Sequence, residues 1–284
     1  MRKSYDGIEY EYIDPTGNIT VLVTTLVDIK SQPEIADMIM KMEPTCEQVG
    51  FVGISDKGDI KLRMAAGEFC GNATMSTAAL FCNERGMNEG ESKSVSVESS
   101  GCKDPVEVDI TRNNDMEGRH VYSGKVDMPL PKDMKIYNLT FRGSVYELPV
   151  VEFDGISHII MNESVNILSD MEAEDAVRKW CDDISADALG IMKISSETLS
   201  VPEDKCNEYS IEINMRPLVY VKEINSLFWE NSCASGTTAA GAYYVNHHKG
   251  TSISLTAHEP GGVLSVFSRN DGHLILSGTV YFPL

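Results

Sequence analysis

Apolar and β-branched residues open the chain in short runs. Residues 8–13 and 19–28, the second beginning Ile19-Thr-Val-Leu-Val-Thr-Thr-Leu-Val, enclose Asp14-Pro-Thr-Gly-Asn18. A proline and a glycine in so short a polar interval predict a hairpin between two strands. Residues 33–41 change to helical spacing, with Ile35, Met38, Ile39 and Met40 behind a Ser-Gln-Pro entry, and predict a short helix. Residues 51–55 and 60–64 flank Asp56-Lys-Gly-Asp59 and predict a second hairpin. From 73 to 85 the first two turns have almost no polar group beyond hydroxyls, which predicts a helix buried on all sides and ended by Gly86. Strands are expected at 94–98, 106–111 and 121–128, before Pro129 and Pro131 break the pattern.

The same order then recurs. Residues 145–153 and 158–161 predict strands, 170–181 an amphipathic helix, and 188–194 and 211–220 two more strands. An apolar helix follows at 237–247, then strands at 252–257, 262–268 and 273–281. A duplicated α+β architecture with a cleft between its halves is the expectation. The first half is taken as residues 1–130 plus 270–284, and the second as 131–269.

With 284 residues, 42% apolar and 24% charged, each half is large enough to bury a core. A formal net charge of −19 opposes binding to phosphate backbones or anionic lipid. No apolar run approaches a membrane span, and the start MRKSYDGIEYEYID lacks the apolar core of a signal peptide. A soluble cytoplasmic protein with neither nucleic-acid nor membrane partners is expected. The seven cysteines, Cys46, Cys70, Cys82, Cys102, Cys181, Cys206 and Cys233, include no CxxC pair, which argues against a disulfide framework and a zinc site. Adjacent His247 and His248 do not share a helix face and are expected to cap a helix rather than bind metal. Gly261-Gly262 reads as a hairpin turn, and no GxGxxG or P-loop occurs.

Two of the cysteines stand apart, because each opens a run of tiny and β-branched residues: Glu68-Phe-Cys70-Gly-Asn-Ala-Thr-Met-Ser and Glu230-Asn-Ser-Cys233-Ala-Ser-Gly-Thr-Thr. A cysteine at the start of a helix lies beside free backbone N–H groups and the positive end of the helix dipole, which favour thiolate. The same N–H groups can hold a carboxylate. Two such ends would offer a carboxylate site with a sulfur for each face of a Cα–H bond, which is what a racemase requires. The other five cysteines lack this context and read as structural.

These residues resemble the diaminopimelate epimerase family and its relatives, the cofactor-independent amino-acid racemases. That family pairs a Cys-Gly-Asn turn with a later Cys-Gly-Ser/Thr-Gly turn, matched here by Cys70-Gly71-Asn72 and Cys233-Ala234-Ser235-Gly236-Thr237. Its early Gly-Asn loop is similar to Asp14-Pro-Thr-Gly17-Asn18. The resemblance runs the length of the chain and is specific at these three places. It implies two pseudo-symmetric lobes, each a β-barrel-like sheet around a central helix, with one cysteine per lobe as acid and base. It also implies an amino-acid substrate held by Asn18, Gly71, Asn72, Ala234, Ser235, Gly236 and Thr237, no cofactor, and leaves a homodimer open.

The departures matter equally. Ala73-Thr-Met-Ser76 replaces the epimerase's glycine and arginine, Gly155-Ile-Ser-His158 its Gly-Asn-Pro-His turn, and Asn225-Ser-Leu-Phe-Trp-Glu-Asn231 the elements before the second cysteine. The parts that hold a reacting α-carbon survive, whereas those that hold a second amino-acid head group do not. The pattern is closer to the histidine racemases of this superfamily, which share an Asp-x-x-Gly-Asn-x-Thr loop like Asp14–Thr20 and a Glu-Gln-Val-Gly-Phe segment like Glu47–Phe51. Proline and hydroxyproline racemases fit less well, having His where Asn72 stands and Pro where Ser232 stands. Glu47 is a candidate for a cationic or imidazole side chain if it faces the cleft, and a solvated loop charge otherwise. His158 is a substrate contact or a core histidine, and Trp229 a cover over the site or plain core. Rival readings are diaminopimelate epimerase itself, an isomerase of the phenazine-biosynthesis type with Glu68 or Glu230 as base, a non-catalytic carboxylate-binding protein, and a thiol redox protein.

Overall fold

The structure is a computed structural model that describes residues 2–201, 208–223, 225–248, 251–269 and 271–283. Two compact units emerge: Met1–Met128 with Leu276–Leu284, and Pro129–Ile275. Among the described residues no helix is long and apolar enough to cross a membrane.

In the first unit the chain forms β1 (Arg2–Tyr5), β2 (Ile8–Pro15), β3 (Thr20–Val23), α1 (Gln32–Met42), β4 (Gln48–Gly53), β5 (Ile60–Met64), α2 (Gly71–Glu84), β6 (Ser92–Ser99), β7 (Val106–Arg112) and β8 (Arg119–Met128). Strands β2 to β8 pair in sequence order, with β3–β4 and β5–β6 parallel and the rest antiparallel. The last strand of the chain, Leu274–Pro283, pairs with both β8 and β2 and closes an eight-strand barrel. β1 is an outer strand on β2.

Helix α2 fills this barrel and touches β2, β3, β5, β6, β7 and β8. Every residue from Gly71 to Cys82 is buried, as expected of a helix with no polar face beyond hydroxyls and amides. Close approach requires small partners. A Cβ on Gly124 of β8 would lie 2.3 Å from Met75 Cγ, so glycine there makes room for the helix. Helix α1 covers the other face of the sheet, where Ala36 and Ile39 pack with Tyr10, Val21, Val23, Val49 and Phe51.

The second unit comprises β9 (Asp133–Phe141), β10 (Ser144–Glu152), β11 (Ser157–Asn162), α3 (Asp170–Asp183), β12 (Ala188–Ser200), β13 (Glu208–Val221), β14 (Ser226–Trp229), α4 (Ala234–His247), β15 (Ser252–Glu259) and β16 (Gly262–Ser268). Strand Leu274–Pro283, hereafter β17, starts here and ends in the first unit. β9, β10 and β11 form an antiparallel run, β11–β12 and β13–β15 are parallel, and β12–β13 and β15–β16 are antiparallel. Helix α4 touches β10, β11, β12, β15 and β16. α3 starts at a capping box made by Ser169 and Glu172 and buries Trp180 among Phe141, Leu148, Ile159 and Ile191. Both units therefore run through a parallel crossover over an amphipathic helix, a hairpin, a cysteine turn with a buried helix, and a parallel partner strand.

Several local expectations shift. The strand expected over 19–28 stops at Val23, and Asp28 then caps a turn of 3-10 helix. α2 and α4 begin directly after their cysteines, two and three residues earlier than the pattern indicates. β1, β9 and β14 were not predicted. β9 is largely exposed and mixed in polarity, so only its antiparallel register with β10 organises it.

Candidate active site

Cys70 is the N-cap residue of α2, with φ −133° and ψ 114°, and its Sγ accepts the Ala73 N–H at 3.4 Å. The half-buried thiol donates to Gln48 Oε1 at 2.9 Å. Gln48 begins β4, and the parallel register with β3 pairs it with Thr20. Its amide nitrogen donates to Thr20 Oγ1 at 2.7 Å and to Asn18 Oδ1 at 2.5 Å. Asn18 in turn donates to Glu47 Oε2 at 2.6 Å and accepts from Asn72 Nδ2 at 3.2 Å. Four predicted residues of this unit, Asn18, Glu47, Cys70 and Asn72, are thus gathered around a fifth, Gln48, which was not singled out. Its signal was present inside the Glu47–Phe51 segment, but a glutamine has no property that marks it in a sequence.

Cys233 repeats the geometry at the start of α4. Its φ is −130° and ψ 104°, and its Sγ accepts the Gly236 N–H at 3.4 Å. Glycine there makes room for the Met192 side chain, since a Cβ on Gly236 would lie 2.1 Å from Met192 Sδ and 3.2 Å from Cys233 Sγ, so a larger residue would need Met192 to move. Ser235 Oγ lies 3.6 Å from Cys233 Sγ and 2.9 Å from His158 Nε2. His158 comes from β11 and is fully buried, which lowers its pKa to about 3, so a neutral imidazole lies behind Ser235. Thr237 donates its hydroxyl to the Cys233 carbonyl at 2.8 Å, and Ala234 and Thr237 are buried.

Burial, with Glu230 and Glu259 nearby, pushes the Cys233 thiol well above its ordinary range, against the smaller opposing effects of Ser235 and the Gly236 N–H. Glu259, at the end of β15, was not predicted. Its Oε2 accepts the Cys233 N–H at 2.7 Å, and burial raises its pKa to about 8 against the opposing hydrogen bonds with Thr237 and the Cys233 N–H, with a smaller upward contribution from Glu230.

Trp229 is not brought to this group. Its Nε1 donates to Glu174 on α3 at 2.8 Å, and the ring packs against the cluster around Trp180 beneath the Arg216 guanidinium. Glu68, next but one to Cys70 in sequence, accepts from Ser100 Oγ at its backbone carbonyl; its carboxyl is held by the backbone N–H groups of Ala66 and of Glu68 itself, and desolvation raises its pKa against those bonds and the nearby Arg63. His247 bonds back to the Tyr243 carbonyl and His248 lies against Tyr209, as helix-end residues do. The remaining described cysteines are unbridged. Burial raises the thiol of Cys46 to about 11 and those of Cys82 and Cys181 above their ordinary value, as it does for Cys233, but none of the three stands at a helix N-terminus, so they suit packing rather than chemistry. Cys206 lies outside the described residues. Among the described residues no cluster suited to a metal ion is present.

Comparison with known proteins identifies the family and the fold. The family model described as the histidine racemase CntK N-terminal domain matches residues 7–280. A histidine racemase of Fusobacterium nucleatum subsp. nucleatum is 35% identical over 268 residues, 93% of this chain and 90% of that protein. One from Staphylococcus aureus is 28% identical over 266 residues, 92% and 89% of the two chains. Among solved structures, a Bacillus anthracis phenazine biosynthesis protein of the PhzF family superposes with a TM-score of 0.62 at 18% identity, covering 97% of each chain. At that identity the likeness concerns the fold, a mixed α+β architecture.

Proposed function

Because the chain belongs to the histidine racemase family, we propose that it inverts the α-carbon of histidine without a cofactor, Cys70 and Cys233 serving as the two acid–base groups. The observation that carries this reading is the duplicated cap. Each cysteine sits at the N-cap of a buried helix, with nearly the same dihedral angles and the same 3.4 Å N–H···S contact. Backbone N–H groups at a helix N-terminus stabilise a thiolate and also hold a carboxylate. We read the two units as pseudo-symmetric lobes, each contributing one sulfur to the reaction.

In this scheme the α-carboxylate binds to N–H groups of Gly71–Asn72 and of Ala234–Thr237. One cysteine, as thiolate, removes the α-proton, and the other, as thiol, delivers a proton to the opposite face. Charge that develops on the carboxylate is stabilised by both helix ends, whose dipoles are already oriented. The roles exchange for the other enantiomer. Glu47, held by Asn18 in the same group of residues as Cys70, is assigned to the imidazole of the substrate.

Proton NMR of L-histidine in D2O tests the scheme. The protein should wash out the α-proton signal and generate D-histidine, and Cys70→Ser or Cys233→Ser should each slow this by about 10²–10⁴-fold with unchanged secondary structure. Near-full turnover in either variant would exclude two cysteine bases. Histidine binding with no exchange in the unmodified protein would identify a carboxylate-binding relative of the family instead.

A further inference from the structure

Glu259 continues the inward face of β15 behind Ile253, Leu255 and Ala257, where a strand of period two should place an apolar residue. It is 8% exposed and has two hydrogen-bond partners among the described residues, the Cys233 N–H at 2.7 Å and Thr237 Oγ1. No cation is among them. The charged groups around it are few: Glu230, which precedes the Cys233 turn, and the Cys233 thiol itself. On the neighbouring strands, Glu212 of β13 is paired with His258, and β16 contains no titratable residue. An ionised carboxylate here would be a buried charge without a partner, facing another carboxylate.

The first unit fills the corresponding place differently. Thr74, four residues after Cys70 as Thr237 is after Cys233, donates its hydroxyl to the Cys70 carbonyl at 2.8 Å and lies 3.2 Å from Ser99 Oγ. Ser99 ends β6, the strand that follows α2, just as Glu259 ends β15 after α4. With the Thr74 hydrogen directed to the Cys70 carbonyl, the Ser99 hydroxyl, whose alternative acceptor is the Ser100 carbonyl at a longer 3.4 Å, is the group that can donate to Thr74. A neutral hydroxyl thus supplies in one unit what Glu259 supplies in the other if it carries a proton: Glu259 O–H to Thr237 Oγ1, and Thr237 O–H to the Cys233 carbonyl.

We propose that Glu259 is a positioning residue that works as a neutral carboxylic acid, fixing the Cys233 turn through its carbonyl oxygen and its own proton, and that its ionisation withdraws that turn from catalysis. The neutral acid holds the Cys233 N–H without adding negative charge at the end of α4, where a thiolate and a substrate carboxylate have to be accommodated. Its ionisation, centred at about pH 8, places a charge beneath the sulfur and opposes both. The protonation state stands on the structure alone, whereas the catalytic consequence rests on the two-cysteine reading.

Glu259→Gln reproduces the neutral form, since its amide oxygen accepts from Cys233 and its nitrogen donates to Thr237. An infrared difference spectrum at neutral pH, wild type minus Glu259→Gln, should show the carbonyl band of a protonated carboxylic acid, replaced by carboxylate bands above pH 8. Carboxylate bands already present at neutral pH would overturn the proposal even if no turnover were detected in any variant. In histidine turnover, Glu259→Gln should keep the neutral-pH kcat and lose the fall in kcat/KM that the wild type shows above pH 8. Glu259→Ala should lose about 10²-fold, as displaced acid–base groups do. A glutamine variant that behaves like alanine, or that keeps the wild-type alkaline limb, would equally overturn the role. Absence of histidine turnover in the wild type, with the acid band present, would count against the racemase reading and leave the protonation assignment intact.

Discussion

A carboxyl group that holds its proton up to about pH 8 in the folded chain, against 4.5 for an ordinary glutamate, links folding to pH through Glu259. Between these two values the native state binds a proton that the unfolded state has released, so stability falls as pH rises across that window and levels off above it. Glutamine has no proton to lose and keeps the same hydrogen bonds. Glu259→Gln should therefore match the wild type near pH 4 and exceed it at pH 7 by roughly 3.5 kcal/mol, from about 2.5 pH units at about 1.4 kcal/mol each. Urea unfolding of both proteins at the two pH values checks this, and an unchanged difference between them would show that Glu259 folds ionised. At this scale the sequence exposed the cysteines and hid their partners. Cys70 and Cys233 were legible because the small residues that follow a helix cap at close quarters form an unusual string. Gln48 and Glu259 were not, because each acts across a strand pairing or a strand–helix contact that no local pattern encodes.

Elements were legible where one face of the chain decides them. α3 shows both a capping box and an amphipathic stripe, while α2 and α4 show the opposite sign, a lack of any polar face, and both signals translate directly into burial. β1 and β14 are four residues each, too short for an alternation to register, and β9 turns most of its side chains to solvent. Burial on all sides also sets how sensitive α2 is. Met75 is fully buried, pressed against the open face of Gly124, and a helix inside a closed barrel has little freedom to collapse onto a void. Met75→Ala is expected to cost about 2–5 kcal/mol. Ser169→Ala at the exposed start of α3 should cost about 1 kcal/mol. Thermal or urea unfolding of the two variants measures the contrast, and similar small losses would mean that the α2 barrel is loosely packed.

For the whole molecule, the recurrence of strands, cysteine turn, buried helix and strands was legible as order along the chain, because each cycle repeats the change from period-two to helical spacing. Closure of the first barrel is a different kind of fact. Its eighth strand is supplied by the far end of the sequence, where Val280 pairs with Pro15, Tyr281 with Asp14, and Thr16 Oγ1 bonds to the Thr279 carbonyl. Partners about 265 residues apart close a loop whose entropy must be paid before the contacts repay it, so this barrel should be the slower unit to form. A chain ending at Ile275 loses the segment 276–284, whose buried Leu276, Val280 and Phe282 lie on one face, and it leaves β2 and β8 with open edges around α2. Hydrogen exchange read peptide by peptide should then show protection lost through β2–β8 and α2, together with the Cys70 turn, while β9–β16 and α3 keep theirs. Retained protection of α2 in the truncated chain would show that seven strands suffice to hold the first cysteine's helix.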